Sequence, residues 1–135
     1  MTITGSCLCK SVTYEVTGPF KVVGHCHCSI CRKAHGAAVA TWGIIDAAQF
    51  RWTAGQDLVA SYKSSAGRDR CFCSKCGSPL CAGHDGQVTE VVVGTLDADP
   101  GVRPSEHIFV GSKAPWHEIT DGLCQHDEWP PGMAP

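Results

Sequence analysis

The sequence predicts an all-β (mainly β) domain of small sheets pinned by zinc, with at most one or two short helical turns. Three observations carry that prediction. The apolar runs are short and several alternate with polar residues, the period of a half-buried strand. Fifteen glycines and eight prolines punctuate the chain at close intervals. Ten cysteines are present, and eight of them fall into three tight groups: Cys7/Cys9, Cys26/Cys28/Cys31 and Cys71/Cys73/Cys76. A length of 135 residues suits one domain. Residues 1–135 are accordingly read as a single unit whose tail, from about residue 117, is mostly loop.

The elements follow in order. Ser11–Thr17 carries Val12, Tyr14 and Val16 in alternation, a strand, and Gly18-Pro19 turns the chain. Phe20–Gly24 is a second short strand that delivers His25 to Cys31; from there to Gly36 the chain reads as a turn and a short helical piece. Ala37–Ile45, with Trp42, is a buried strand. Asp46 has the character of an N-cap for one helical turn. Phe50–Thr53 and Leu58–Tyr62 are strands around Ala54–Asp57. Arg68–Phe72 leads into the third cysteine group. Leu80–Ala82 and Val88–Leu96 form a hairpin around Asp85-Gly86, a tight-turn pair. His107–Val110 is the last strand.

Composition excludes several functions. The formal net charge is −2 and the basic residues form no block, so the basic stripe of a nucleic-acid binder is missing. No run approaches the roughly 20 apolar residues of a membrane helix. Met1–Gly5 has neither a basic nor an apolar leader segment, which predicts a cytoplasmic, reducing environment. Under reducing conditions clustered cysteines serve metal or catalysis rather than disulfides.

The cysteine spacings suggest two kinds of centre. Cys73-x-x-Cys76-Gly77 has the form of a zinc knuckle: two thiolates grip one ion across a tight turn whose left-handed residue is Gly77. A closed tetrahedral site needs a second pair, and Cys7-x-Cys9 is the isolated pair available. Cys26-x-Cys28-x-x-Cys31 supplies three thiolates within six residues. On one zinc they leave a coordination position for an incoming thiol or a polarised carbonyl. Spacing alone equally allows a second closed site completed by His25, His27, Cys71 or Cys81. Arg32 and Lys33 stand ready to offset the negative charge or meet an anionic substrate.

The remaining candidates have plainer readings. Cys71 can share a face with Cys73 but reads as a free thiol, Cys81 as a small core residue and Cys124 as incidental. His27, between two candidate ligands in extended backbone, points away from them. His35, His84, His107, His117 and His126 share no spacing and read as surface or hydrogen-bonded residues. Trp42, Trp52 and Trp116 read as core or pocket wall. There is no Ser-His-Asp pattern, phosphate loop or dinucleotide fingerprint.

Gly5–Cys9, Cys26–Lys33, Phe72–Ser78, His107–Trp116 and Asp127–Pro130 together resemble the glutathione-dependent formaldehyde-activating family. The resemblance implies a compact all-β fold with two zinc ions per chain. It implies a structural zinc on Cys7, Cys9, Cys73 and Cys76, and a catalytic zinc on Cys26, Cys28 and Cys31. The implied reaction is that of a carbon–sulfur lyase joining glutathione and formaldehyde into S-hydroxymethylglutathione, or a related thiol and aldehyde. Arg32, Lys33 and Lys113 become candidates for the carboxylates of glutathione. Two other readings stay open on the residues themselves: a non-catalytic binding module stabilised by two structural zincs, and a zinc or thiol-stress handler that uses the surplus cysteines.

Overall fold

A computed structural model describes residues 1–133; the last two residues of the tail lie outside the described part. Two sheets carry the fold. The smaller has the order β1 (Thr2–Ser6), β2 (Thr13–Thr17), β5 (Phe50–Ala54). Val12, Tyr14 and Val16 are all buried, as their alternation predicts. The outward residues of β2 pair across the sheet instead, Thr13 with Thr53 at 2.6 Å and Glu15 with Arg51.

The larger sheet has eight strands. Its order is β11 (Cys124–Gln125), β10 (Glu106–Ile108), β3 (Val22–Cys26), β4 (Ala40–Ile44), β9 (Gln87–Val92), β8 (Pro79–His84), β7 (Arg68–Cys73) and β6 (Val59–Ser65). The β8–β9 hairpin turns on Asp85 (φ 51°) and Gly86 (φ 79°), two positive φ angles of the kind a two-residue hairpin loop requires. The one α-helix among the described residues, α1 (Ser29–His35), ends on left-handed Gly36.

The class is therefore all-β, with differences in detail. Thr2–Ser6 is a strand, and so is Arg68–Cys73, which sequence reads only as a lead-in. Four single 3₁₀ turns accompany α1, at Ala47–Gln49, Gln56–Leu58, Val93–Thr95 and Val110–Ser112. They sit where strands hand over to one another. The first is the turn foreseen at Asp46, whose backbone N–H donates to Gln49 Oε1 at 2.8 Å. The last follows Phe109, whose left-handed φ of 56° ends β10 two residues early.

Two apolar clusters form the core. The first gathers Val12, Tyr14, Val23, Ile45, Leu80 and Val91 between the sheets, and Cys7 and Cys73 are part of it. The second joins Cys26 and Cys31 to Ala40, Trp42, Ala82 and Val92. Each cysteine group is thus built into packed apolar side chains.

Candidate metal centres

The first centre joins two loops that are 64 residues apart in sequence at the closest pair. Cys7 leaves β1 and enters a tight turn closed by Lys10 N–H donating to Cys7 O at 3.0 Å. Cys73 ends β7, and Gly77 N–H donates back to Cys73 O at 2.7 Å with Gly77 at φ 82°. That is the left-handed turn the knuckle spacing requires. Ser78 ties the loops together: its hydroxyl accepts from Leu8 N–H at 2.9 Å and lies 3.3 Å from Cys76 Sγ. The hydroxyl and backbone N–H of Ser78 draw the Cys76 thiol down to about 5.

Sulfurs of Cys7, Cys9, Cys73 and Cys76 all lie within 4.8 Å of one another. Cys7 Sγ is 3.6 Å from Cys9 Sγ, which is 3.9 Å from Cys73 Sγ. Four thiolates placed tetrahedrally at zinc–sulfur bonds of about 2.3 Å stand about 3.8 Å apart. The Cys7–Cys9 and Cys9–Cys73 separations match that value and the other sulfurs lie within 4.8 Å, so the four can close on such an ion.

The second centre sits where β3 passes into α1. Cys26 is the last residue of β3, Cys28 is the N-cap of α1, and Cys31 lies in its first turn, donating its N–H to Cys28 Sγ at 3.3 Å. Three sulfurs again fall within 4.8 Å. No fourth cysteine, histidine or carboxylate joins them among the described residues. Hydrogen bonds from the Cys26 and Cys28 thiols, then from Arg70, pull the Cys31 thiol far down, while sharing with Cys28 and Cys31 pushes Cys26 up.

The cluster forms one end of a cavity of about 240 Å³. Trp42, Ile108, Phe109 and Trp129 form much of its wall. Arg68 and Arg70 alternate with Cys71 along β7 and so reach the cavity side of the sheet. Arg68 forms an ion pair with Glu90, and Arg70 Nη2 donates to Cys31 Sγ at 3.5 Å. Both guanidiniums stand 5.7 Å from the Trp42 ring centre.

Several expected participants are elsewhere. Arg32 donates Nε–H to His27 O at 3.3 Å, and Lys113 Nζ donates to the carbonyls of Ala114 and His117. Arg68 and Arg70 occupy the position expected of Arg32 and Lys33. No motif announces them; only strand alternation beside the third cysteine group could have. Cys71 and Cys81 complete neither cluster but face each other across β7 and β8. Trp116 is 73% exposed, so it is neither core nor pocket wall. Trp129, from the tail, lines the cavity instead.

The histidines agree with expectation in kind, but burial of His27 and His107 goes beyond it. His27 and His107 are buried, and His27 does turn away from the cysteine cluster. Its Nε2 lies 2.8 Å from His107 Nδ1, and His107 Nε2 lies 3.0 Å from both Asp121 oxygens. Strands β3 and β10 run parallel with His25 opposite His107, which brings distant histidines onto one face.

The β fold gathers seven cysteines into a group of four and a group of three beside a cavity, two thiolate clusters that could each hold a metal ion. The sequence model of the glutathione-dependent formaldehyde-activating enzyme family matches residues 2–112, and the chain belongs to that family. It is 30% identical over 130 residues to a Halomonas elongata protein named "Putative glutathione-dependent formaldehyde-activating enzyme", covering 88% of this chain and 82% of that one. It is also similar to the crystal structure of a Rhodobacter sphaeroides protein, with a TM-score of 0.54 and 25% identity over 75% of this chain and 91% of the other.

Proposed function

We propose that this protein is a zinc-dependent carbon–sulfur lyase that adds a thiol, glutathione in the simplest case, to formaldehyde or a related aldehyde. The observation that carries this reading is the difference between the two centres. Cys7, Cys9, Cys73 and Cys76 offer four donors, two of them, Cys7 and Cys73, rooted in the core, the character of a structural zinc site. Cys26, Cys28 and Cys31 offer three donors and open onto a cavity, the character of a catalytic one. The family and the name of the Halomonas relative agree with glutathione and formaldehyde as the small-molecule partners.

Zinc bound to Cys26, Cys28 and Cys31 would supply a fourth position that lowers the pKa of a substrate thiol and favours its thiolate. The residues do the rest. Arg70 beside Cys31 offsets part of the negative charge of three thiolates and fixes the Cys31 sulfur. The apolar wall at Trp42, Ile108 and Trp129 excludes water from the aldehyde, which favours sulfur over hydroxide as the nucleophile. In the reaction the thiol sulfur bonds to the carbonyl carbon, the C=O π pair moves to oxygen, and oxygen gains the proton that the thiol lost. The sum RSH + H₂CO → RSCH₂OH balances without an oxidant or reductant. A cytoplasmic location, where glutathione is reduced and abundant, and a single functional unit over residues 1–135 belong to this reading.

Exchange NMR with ¹³C-formaldehyde and glutathione tests it. The wild-type protein should raise the exchange rate between free and thiol-bound formaldehyde above background, and Cys28→Ser should return it to the uncatalysed rate. Equal rates for the two proteins would sink the proposal.

A further inference from the structure

We propose that His25, His107 and Asp121 form a third metal site, a two-histidine, one-carboxylate cluster for a divalent first-row cation of the nitrogen- and oxygen-preferring kind. One ring nitrogen from each histidine and one Asp121 oxygen lie within 4.8 Å of one another. The backbone fixes this. His25 and His107 are register partners in the parallel pair β3–β10, so their rings stand on the same face with centroids 4.9 Å apart. Gly24, Cys26 and Ile108 occupy the other face and line the cavity. The histidine cluster is therefore back to back with the thiolate cluster, separated from it by the sheet.

The surroundings have the form of a ligand shell already oriented. His25 Nδ1 lies 2.8 Å from Thr41 Oγ1 on the neighbouring strand β4. His107 Nδ1 lies 2.8 Å from His27 Nε2. Asp121 Oδ1 accepts from Leu123 N–H at 3.1 Å. Each of the three residues thus has a second hydrogen-bonding partner, as ligating imidazoles and carboxylates commonly do. A His107–Asp121 hydrogen bond accounts for that pair alone. The strand register sets the second imidazole beside the first, so that three donors of metal-ligating type share one centre.

With a cation on His107 Nε2, the ring proton sits on Nδ1 and is donated to His27 Nε2. Asp121 is 45% exposed at its side chain, which gives the ion an entrance from solvent. Three protein donors leave positions for water, and the absence of sulfur among them favours an ion distinct in preference from those of the cysteine centres.

Cobalt(II) tests the site, because cobalt bound by thiolates shows a sulfur-to-metal charge-transfer band and cobalt bound by imidazole and carboxylate does not. Protein whose cysteine centres carry zinc is mixed with cobalt(II), desalted, and assayed for both metals and for absorption. We expect one further cobalt per chain with weak visible bands, unchanged zinc, and no charge-transfer band. Asp121→Asn and His107→Gln should abolish cobalt retention at unchanged zinc content, and Thr41→Val should weaken it about 10–100-fold. If His107→Gln fails to fold, Asp121→Asn at its half-exposed position decides alone. Failure of the wild-type protein to retain cobalt, equal retention by Asp121→Asn, or a charge-transfer band would each overturn the proposal. None of these readouts depends on thiol–aldehyde turnover, so the site stands or falls separately from the proposed reaction.

Discussion

Cys28 and Cys76 are chemically identical and carry different loads. Cys76 belongs to the group of four whose partners Cys7 and Cys73 are embedded in the main core. Zinc bound by four thiolates contributes on the order of 10 kcal/mol in small zinc domains, comparable with a whole domain's stability of about 5–15 kcal/mol. Cys76→Ser should therefore lower the melting temperature by more than about 10 °C or prevent folding, since each kcal/mol moves it by about 2–8 °C. Cys28 borders the cavity and caps a single short helix, so Cys28→Ser should cost no more than a helix cap does, about 0.5–2 kcal/mol. Thermal melts of the two variants check this; equal losses would favour two structural centres. The seven cysteines could be read from the sequence because thiolate spacing within a loop is a local property. Arg70 and His107 could not, because each gains its meaning from a strand far away in the chain.

At the scale of the element, β1 depends on a glycine. Gly5 faces Tyr14 across the β1–β2 pair, and a Cβ at Gly5 would stand 2.1 Å from the Tyr14 ring. The buried ring covers the bare backbone. Gly5→Ala must displace it, and a cost of about 1–3 kcal/mol is expected for such overpacking. Denaturant unfolding measures it, and an unchanged midpoint would contradict this packing. Tyr14 also predicts a pH effect. Burial raises its hydroxyl well above the ordinary value of 10, and the hydroxyl lies 2.6 Å from Thr95 Oγ1. The native state therefore holds the proton that the unfolded chain releases, so stability is full below pH 10 and falls as pH rises above it. Tyr14→Phe should flatten the decline in an alkaline unfolding series, though it loses the Thr95 hydrogen bond at every pH.

The elements that sequence reading missed have physical reasons. Thr2–Ser6 contains a single large apolar side chain, Ile3, so its alternation is faint, and its place comes from pairing with β2. Arg68–Cys73 contains two arginines and an aspartate, residues uncommon inside a sheet. It is nevertheless flanked by β6 and β8, because Glu90 and the Cys31 sulfur receive the arginines. The Asp85-Gly86 hairpin and the turn at Asp46 were legible because each is set by residues adjacent in sequence.

At the scale of the whole molecule, the two cysteine groups differ in number and in setting. The group of four brings the N-terminal loop against the end of β7, where a shared ion would clip the small sheet to the large one. Among the described residues no helix is long and apolar enough to cross a membrane. The group of three lies at the edge of the second apolar cluster and faces the cavity. The central claim is that this second group keeps one position for a substrate thiol. X-ray absorption at the zinc edge, on anaerobic protein loaded with two zincs per chain, tests it directly. Without added thiol the two ions should share seven protein sulfurs. With glutathione the average sulfur coordination should rise to that of eight sulfurs over two ions, and Cys28→Ser should lose the increment. An unchanged sulfur shell on saturation with glutathione would contradict thiol activation at this centre and leave two structural metal sites in its place.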